Sequence, residues 1–151
     1  MRKTRDTVLA DYYKASNGRS LRGRVLELRA NKAGWRRIAD TLAEDTSGEV
    51  QVSHESLRGW FGEAADRQHR LAIEGLYHAA VGRSLRDQVI VDRAERLPWH
   101  VLHAWVVADL HLVGERDPDV TERDLQRWYG PLTDEHLAQE RYAHQVAEVT
   151  A

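Results

Sequence analysis

Gly-Arg-Ser-Leu-Arg at residues 18–22 returns unchanged at residues 82–86, an offset of 64. The same offset pairs Val25 with Val89, Arg29-Ala30 with Arg93-Ala94 and Trp35 with Trp99. Upstream it pairs Tyr13 with Tyr77 and Ala15 with Ala79. Nine of the eighteen positions from 18 to 35 are identical, where unrelated sequence gives about one. Farther along the offset becomes 68: Val52-Ser53 meets Val120-Thr121, Leu57 meets Leu125, and Trp60-Phe61-Gly62 meets Trp128-Tyr129-Gly130. The chain reads as two related units, about 5–62 and 69–130, followed by a tail. The second copy carries a four-residue insertion between Trp99 and Val120.

Each unit reads as helical. Three prolines and ten glycines in 151 residues leave long stretches rich in Ala, Leu, Arg and Glu, all good helix formers. Residues 6–15 are expected as a first helix. Ser20 can cap a second, from Leu21 to about Asn31, with Leu21, Val25 and Leu28 on one face. Gly34 breaks the pattern. A third helix is expected from Trp35 to about Asp45, with Trp35, Ile38, Ala39 and Leu42 inward. Thr46-Ser47-Gly48-Glu49 is turn chemistry. Ser53 then caps a helix burying Leu57, Trp60, Phe61 and Ala64. Thr133 is expected to cap a closing helix to Val149, with Leu137, Ala138, Tyr142 and Val146 inward. The alternative for that tail is pairing with a second chain.

Trp-Arg-Arg-Ile-Ala-Asp-Thr-Leu (35–42), a turn, and Val-Ser-His-Glu-Ser-Leu-Arg-Gly-Trp (52–60) together resemble a helix-turn-helix. Ala39 is small where two helices would cross, Val52 seals the turn, and Ser53 leaves the first residues of its helix free to project. A rigid helix with polar side chains on its N-terminal face is what the major groove accepts. The whole resembles the small helix-turn-helix proteins of bacteriophages and mobile elements, in particular immunity repressors of actinobacteriophages. Two departures stand out: the turn exceeds the tight three- to four-residue form, and in the second unit His103 replaces Ala39 while Gly114 and Pro118 lengthen the turn further.

The resemblance implies an all-α fold of two tandem helix-turn-helix units, 1–65 and 66–151, the second including the C-terminal helix. It implies sequence-specific binding of double-stranded DNA by a transcriptional repressor in the cytoplasm of a bacterial host, associated with the nucleoid. Such a protein acts by occupancy, so no enzymatic activity and no cofactor are expected. The alternative is one DNA-binding unit fused to a protein-interaction or dimerisation unit, for example in a recombination or regulatory complex.

Charge is divided unevenly. Residues 1–62 hold twelve Lys+Arg against eight Asp+Glu, and residues 63–151 hold ten against sixteen. The basic first part suits a polyanion and the acidic second part opposes it. Expected base-reading residues are Gln51, Ser53, His54, Glu55, Ser56 and Arg58 in the first unit, and Arg123, Gln126 and Arg127 in the second. Arginine can fork onto guanine, and glutamate can accept from cytosine. Arg19, Arg22, Lys32, Arg36 and Arg37 are expected on phosphates. Arg2, Lys3 and Arg5 read as a free terminus, or else as a minor-groove arm. The readers differ between copies: Arg58 meets Gln126, Glu55 meets Arg123 and His54 meets Glu122. A monomer is therefore expected on an asymmetric site of roughly 12–16 base pairs, with half-site centres about 10 apart; a homodimer on a palindrome is the alternative.

Other chemistry finds little support. Without cysteine there is no disulfide scaffold, thiolate nucleophile or Cys-ligated zinc. His100 and His103, with His111 beyond, make at most half a metal site, and no metal site is expected. Asp117-Pro-Asp119 reads as a turn and cap, and no catalytic residues are expected. Trp35, Trp60, Trp99 and Trp128 occupy matched positions and read as core, leaving Trp105 as the exception. No apolar run reaches the ~18 residues of a membrane span, and no apolar segment follows the basic start as in a signal peptide.

Overall fold

The computed structural model describes residues 4–112 and 119–150. Among these residues the chain is all-helical, with no strand. The helices are α1 (Arg5–Asn17), α2 (Leu21–Ala30), α3 (Trp35–Asp45), α4 (His54–Val81), α5 (Leu85–Ala94), α6 (Trp99–His111) and α7 (Glu122–Thr150). The chain forms two compact units, Met1–His69 and Arg70–Ala151, and the division falls inside α4. Arg2, Lys3, Gly114 and the Asp117-Pro118 part of the expected turn lie outside the described residues.

The first unit is built around a core of Tyr13, Leu21, Val25, Ile38, Leu42, Val50, Val52 and Leu57. The spacing of Leu21 and Val25 on α2, and of Ile38 and Leu42 on α3, gives each helix one buried stripe. Trp35, Ala39, Trp60 and Phe61 pack half-buried against this core. Ala64 is half-buried, and its neighbour Ala65 is the buried one. The second unit has its own core, including Ile73, Tyr77, Leu85, Val89, Leu102, Val106, Leu110, Leu125 and Tyr129.

The sequence repeat is also a repeat of local structure. Gly18 (φ 67°) ends α1 and Gly82 (φ 76°) ends α4, both in the left-handed region where only glycine is free of strain. Ser20 accepts from the Gly23 N–H and Ser84 from the Asp87 N–H, so both second helices start on a serine cap. Both stop in the same way. Ala33 N–H bonds the Leu28 carbonyl and Lys32 N–H the Arg29 carbonyl; Leu97 does so to Asp92 and Arg96 to Arg93. That six-to-one, five-to-two pattern places Lys32 (φ 66°) and Arg96 (φ 64°) in the left-handed conformation. Arg29 then lies 4.9 Å over the Trp35 ring, and Arg93 lies 4.8 Å over Trp99.

α4 runs unbroken across the expected 65/66 boundary to Val81, because no proline or left-handed residue interrupts it before Gly82. One expectation fails. The tail is not a separate helix capped by Thr133. α7 passes through Pro131, and the buried Thr133 hydroxyl donates to the Gly130 carbonyl at 2.9 Å, inside the helix. Pro131 lacks an N–H but fixes a helical φ, so it takes one donor from the hydrogen-bond ladder without ending the helix. Leu137 is half-buried, whereas Ala138, Tyr142 and Val146 are exposed and do not face a core. No helix among the described residues is long and apolar enough to cross a membrane.

Candidate nucleic-acid interface

In the first unit, α3 and the start of α4 are joined by residues 46–53. The connection is held from within. The α3 end closes on Ser47 (φ 52°), with Gly48 N–H on the Ala43 carbonyl at 2.7 Å. The buried Thr46 hydroxyl donates to the Leu42 carbonyl at 2.9 Å and accepts from the Val50 N–H at 2.9 Å. Val50 and Val52 are both buried, so the segment is anchored on each side of Gln51. Gln51 is exposed, and its Nε2 donates to the Gly48 carbonyl at 3.2 Å.

Ser53 Oγ accepts from the Ser56 N–H at 3.2 Å and donates to Ser56 Oγ at 3.0 Å. With that cap in place, α4 begins with Glu55 and Arg58 exposed and His54 and Ser56 half-buried, while Leu57 is fully buried. His54 Nε2 lies 3.8 Å from Glu55 Oε1. Arg36 and Arg37 are exposed on the first turn of α3. Arg37 stands 3.7 Å from Glu44 with both side chains about two-thirds exposed, an ion pair of negligible strength in water. The start of α3 and Arg58 meet at Gly62: a Cβ there would lie 4.0 Å from Trp35 Cζ2 and 3.6 Å from Arg58 Cγ. Arg19 is paired with Glu27, while Arg22 and Lys32 are exposed near the two ends of α2.

The matching segment of the second unit is arranged differently. Thr121 and Asp124 cap α7 reciprocally: Asp124 N–H donates to Thr121 Oγ1 at 3.1 Å, and Thr121 N–H to Asp124 Oδ2 at 2.9 Å. Burial raises the Asp124 pKa, but the Thr121 N–H and the Arg127 guanidinium outweigh it and hold the carboxyl below its ordinary range. Arg127 Nη2 is 2.7 Å from Asp124 Oδ1, and Gln126 Nε2 donates to Glu122 Oε1 at 3.2 Å. Arg123 is exposed. His103 Nε2 is bonded to the Val120 carbonyl at 2.7 Å, fastening the segment before α7 to α6. His100 and His111 are exposed.

No protein-family model, curated protein or solved structure matches this chain.

One constellation escaped the sequence reading. Tyr13 Oη donates to Asp45 Oδ2 at 2.6 Å, and Arg24 Nε donates to the same oxygen at 3.1 Å. Burial and the Asp45 carboxylate push the Tyr13 phenol up to about 12. Burial opposes ionisation of Asp45, but the bonds from Tyr13 and Arg24 prevail and lower its pKa. In the second unit Tyr77 Oη donates to Asp109 Oδ2 at 3.3 Å, again across 32 residues. The available signal was that Asp45 and Asp109 also stand 64 apart, like the tyrosines.

Proposed function

We propose that this chain is a sequence-specific double-stranded DNA-binding protein of the helix-turn-helix kind, acting by occupancy as a transcriptional repressor of the phage immunity type. The observation that carries the reading is the start of α4. Its Ser53 cap satisfies the first turn internally, Leu57 anchors the helix in the core, and Glu55 and Arg58 stand in solvent. That leaves a rigid helix end whose polar side chains are free for base edges in a major groove. Arg36 and Arg37, at the start of α3, supply cations where the preceding helix crosses a phosphate backbone. Recognition by occupancy needs no cofactor and no reaction. The cell compartment that follows is the bacterial cytoplasm.

A second reading is favoured by one observation. Gln126 and Arg127, two of the three expected readers on α7, are bonded to Glu122 and Asp124 of their own first turn. DNA binding by the first unit, with the second unit serving a protein partner, fits that pairing. Selection of bound sites from a random DNA pool tests both readings. Two-unit recognition yields an asymmetric site of roughly 12–16 base pairs bound one to one. One-unit recognition yields a single short half-site, unchanged by Arg123→Ala. Failure to enrich any sequence refutes the DNA reading as a whole.

A further inference from the structure

The second unit contains a cavity of about 310 Å³ over the buried Tyr77, between α5 and α6. Its wall includes Arg83, Gln88, Asp92, Trp105 and Asp109. Its counterpart in the first unit explains its chemistry. At the offset of 64, Tyr77 is Tyr13, Asp109 is Asp45 and Gln88 is Arg24. In the first unit the Arg24 guanidinium lies against Asp45 beside the Tyr13 hydroxyl and is itself half-buried. In the second unit that arginine is gone. Gln88 is shorter and turns to Asp92 instead, its Nε2 donating to Oδ1 at 2.9 Å. The Tyr–Asp bond also lengthens, from 2.6 Å in the first unit to 3.3 Å.

Two further exchanges remake the site. Leu28 has become Asp92, which is buried and adds a second carboxylate. Thr41 has become Trp105, which is 51% exposed, unlike the other four tryptophans. Two acids now face Arg83 as the one basic residue of the wall, and Arg83 is itself exposed. Burial pushes the Asp92 carboxyl up, with Glu95 and then Asp109 adding to the rise, and the Gln88 hydrogen bond and the Arg83 charge offset only part of it. An exposed indole beside two carboxylates offers a guanidinium a flat face for stacking and oxygens for bonding. The volume is at the small end for ligand sites and suits one long side chain.

We infer that the cavity lined by Tyr77, Asp92, Trp105 and Asp109 is a binding site for a guanidinium group supplied from outside the chain, in the place Arg24 fills in the first unit. The group is either the arginine side chain of a partner protein or a free arginine-like compound. The site is independent of the DNA reading and stands whether or not α7 touches DNA.

The test uses the full chain with the indole N–H of Trp105 as reporter, assigned by its loss in Trp105→Phe. The titrants are arginine amide, a short peptide with one central arginine, the same peptide with lysine, and citrulline amide as the neutral isostere. A saturable Trp105 shift is expected with the arginine ligands, about tenfold weaker with lysine and absent with citrulline. Saturation by the peptide at concentrations where arginine amide does nothing identifies a protein partner as the source. Equal affinity for the two identifies a free compound. Gln88→Arg guards against variants that merely unfold. It restores the internal arginine, so it should raise the thermal midpoint while weakening arginine binding by at least about tenfold. Citrulline binding as tightly as arginine, no saturable shift with any arginine ligand, or a well-folded Gln88→Arg that binds unchanged overturns the inference.

Discussion

Thr46→Val tests how the connection between α3 and α4 is held. The substitution keeps the shape of the side chain and removes one oxygen. That oxygen accepts from the Val50 N–H at 2.9 Å and donates to the Leu42 carbonyl at 2.9 Å. Both Thr46 and Val50 are buried, so water cannot replace the lost acceptor without opening the segment. A buried backbone N–H left without a partner costs about 1–3 kcal/mol. The Leu42 carbonyl loses a donor at the same time, which places the expected loss in the upper half of that range. Thr46→Ser keeps the oxygen and loses one methyl, worth about 0.8 kcal/mol. Urea unfolding of the three proteins should therefore rank wild type, then Ser, then Val, with Val lower than Ser by about 1 kcal/mol or more. Amide exchange gives the local reading: Val50 protection should survive in Thr46→Ser and collapse in Thr46→Val. A Val variant as stable as the Ser variant, or one that retains Val50 protection, refutes the reasoning.

Arg58→Ala should cost about 1–3 kcal/mol on a selected DNA site and relax one base position, whereas Arg37→Ala should weaken all sequences alike and lower the salt slope by about one; an unchanged slope removes Arg37 from the phosphate contacts. Because the folded Asp45 pKa is lowered, its ionised form stabilises the fold above the unfolded carboxylate pKa of about 3.9, and that contribution fades as pH falls through the folded value. Asp45→Asn should therefore be less stable than wild type at neutral pH and draw level with it in acid, as thermal melts across that window will measure. Asp92 is raised instead, so its ionised form opposes folding above its folded pKa. Asp92→Asn should melt higher than wild type at neutral pH and lose the advantage in acid; a lower melt at neutral pH would show that the contacts of the ionised carboxylate outweigh the cost of its burial.

Features encoded by neighbouring residues were legible in the sequence. Ser20 before Leu21 and Ser53 before the Leu57 helix are short-range caps, and the structure places both as read. α3 follows from its apolar spacing and the glycine before it. Helix ends set by context were not legible. Thr133 after a proline looks like a start signal, yet its hydroxyl is spent within α7 and the helix continues. Contacts across many residues were hidden as well, since nothing local ties Tyr13 to Asp45. At the candidate interface the exposure of Arg36, Arg37 and Arg58 follows from helix phase. The engagement of Gln126 by Glu122 and of Arg127 by Asp124 was readable from their spacings of four and three, which favour side-chain contact on a helix.

The left-handed residues that end α2 and α5 bear on ancestry. Lys32 and Arg96 hold a conformation that costs a residue with a Cβ roughly 1–2 kcal/mol, and a glycine would remove that cost. Neither copy has taken the glycine. Both keep a long cation beside the negative end of a helix, where charge offsets part of the strain. A disadvantage shared at one position by both copies is most simply an inheritance, already present in the single unit that was doubled. Side chains have changed after doubling, Arg24 against Gln88, Thr41 against Trp105 and Arg58 against Gln126, and four residues have entered between Trp99 and Val120. What the copies keep is the serine cap and the left-handed stop of α2 and α5, so reconstruction of the ancestral unit should begin there.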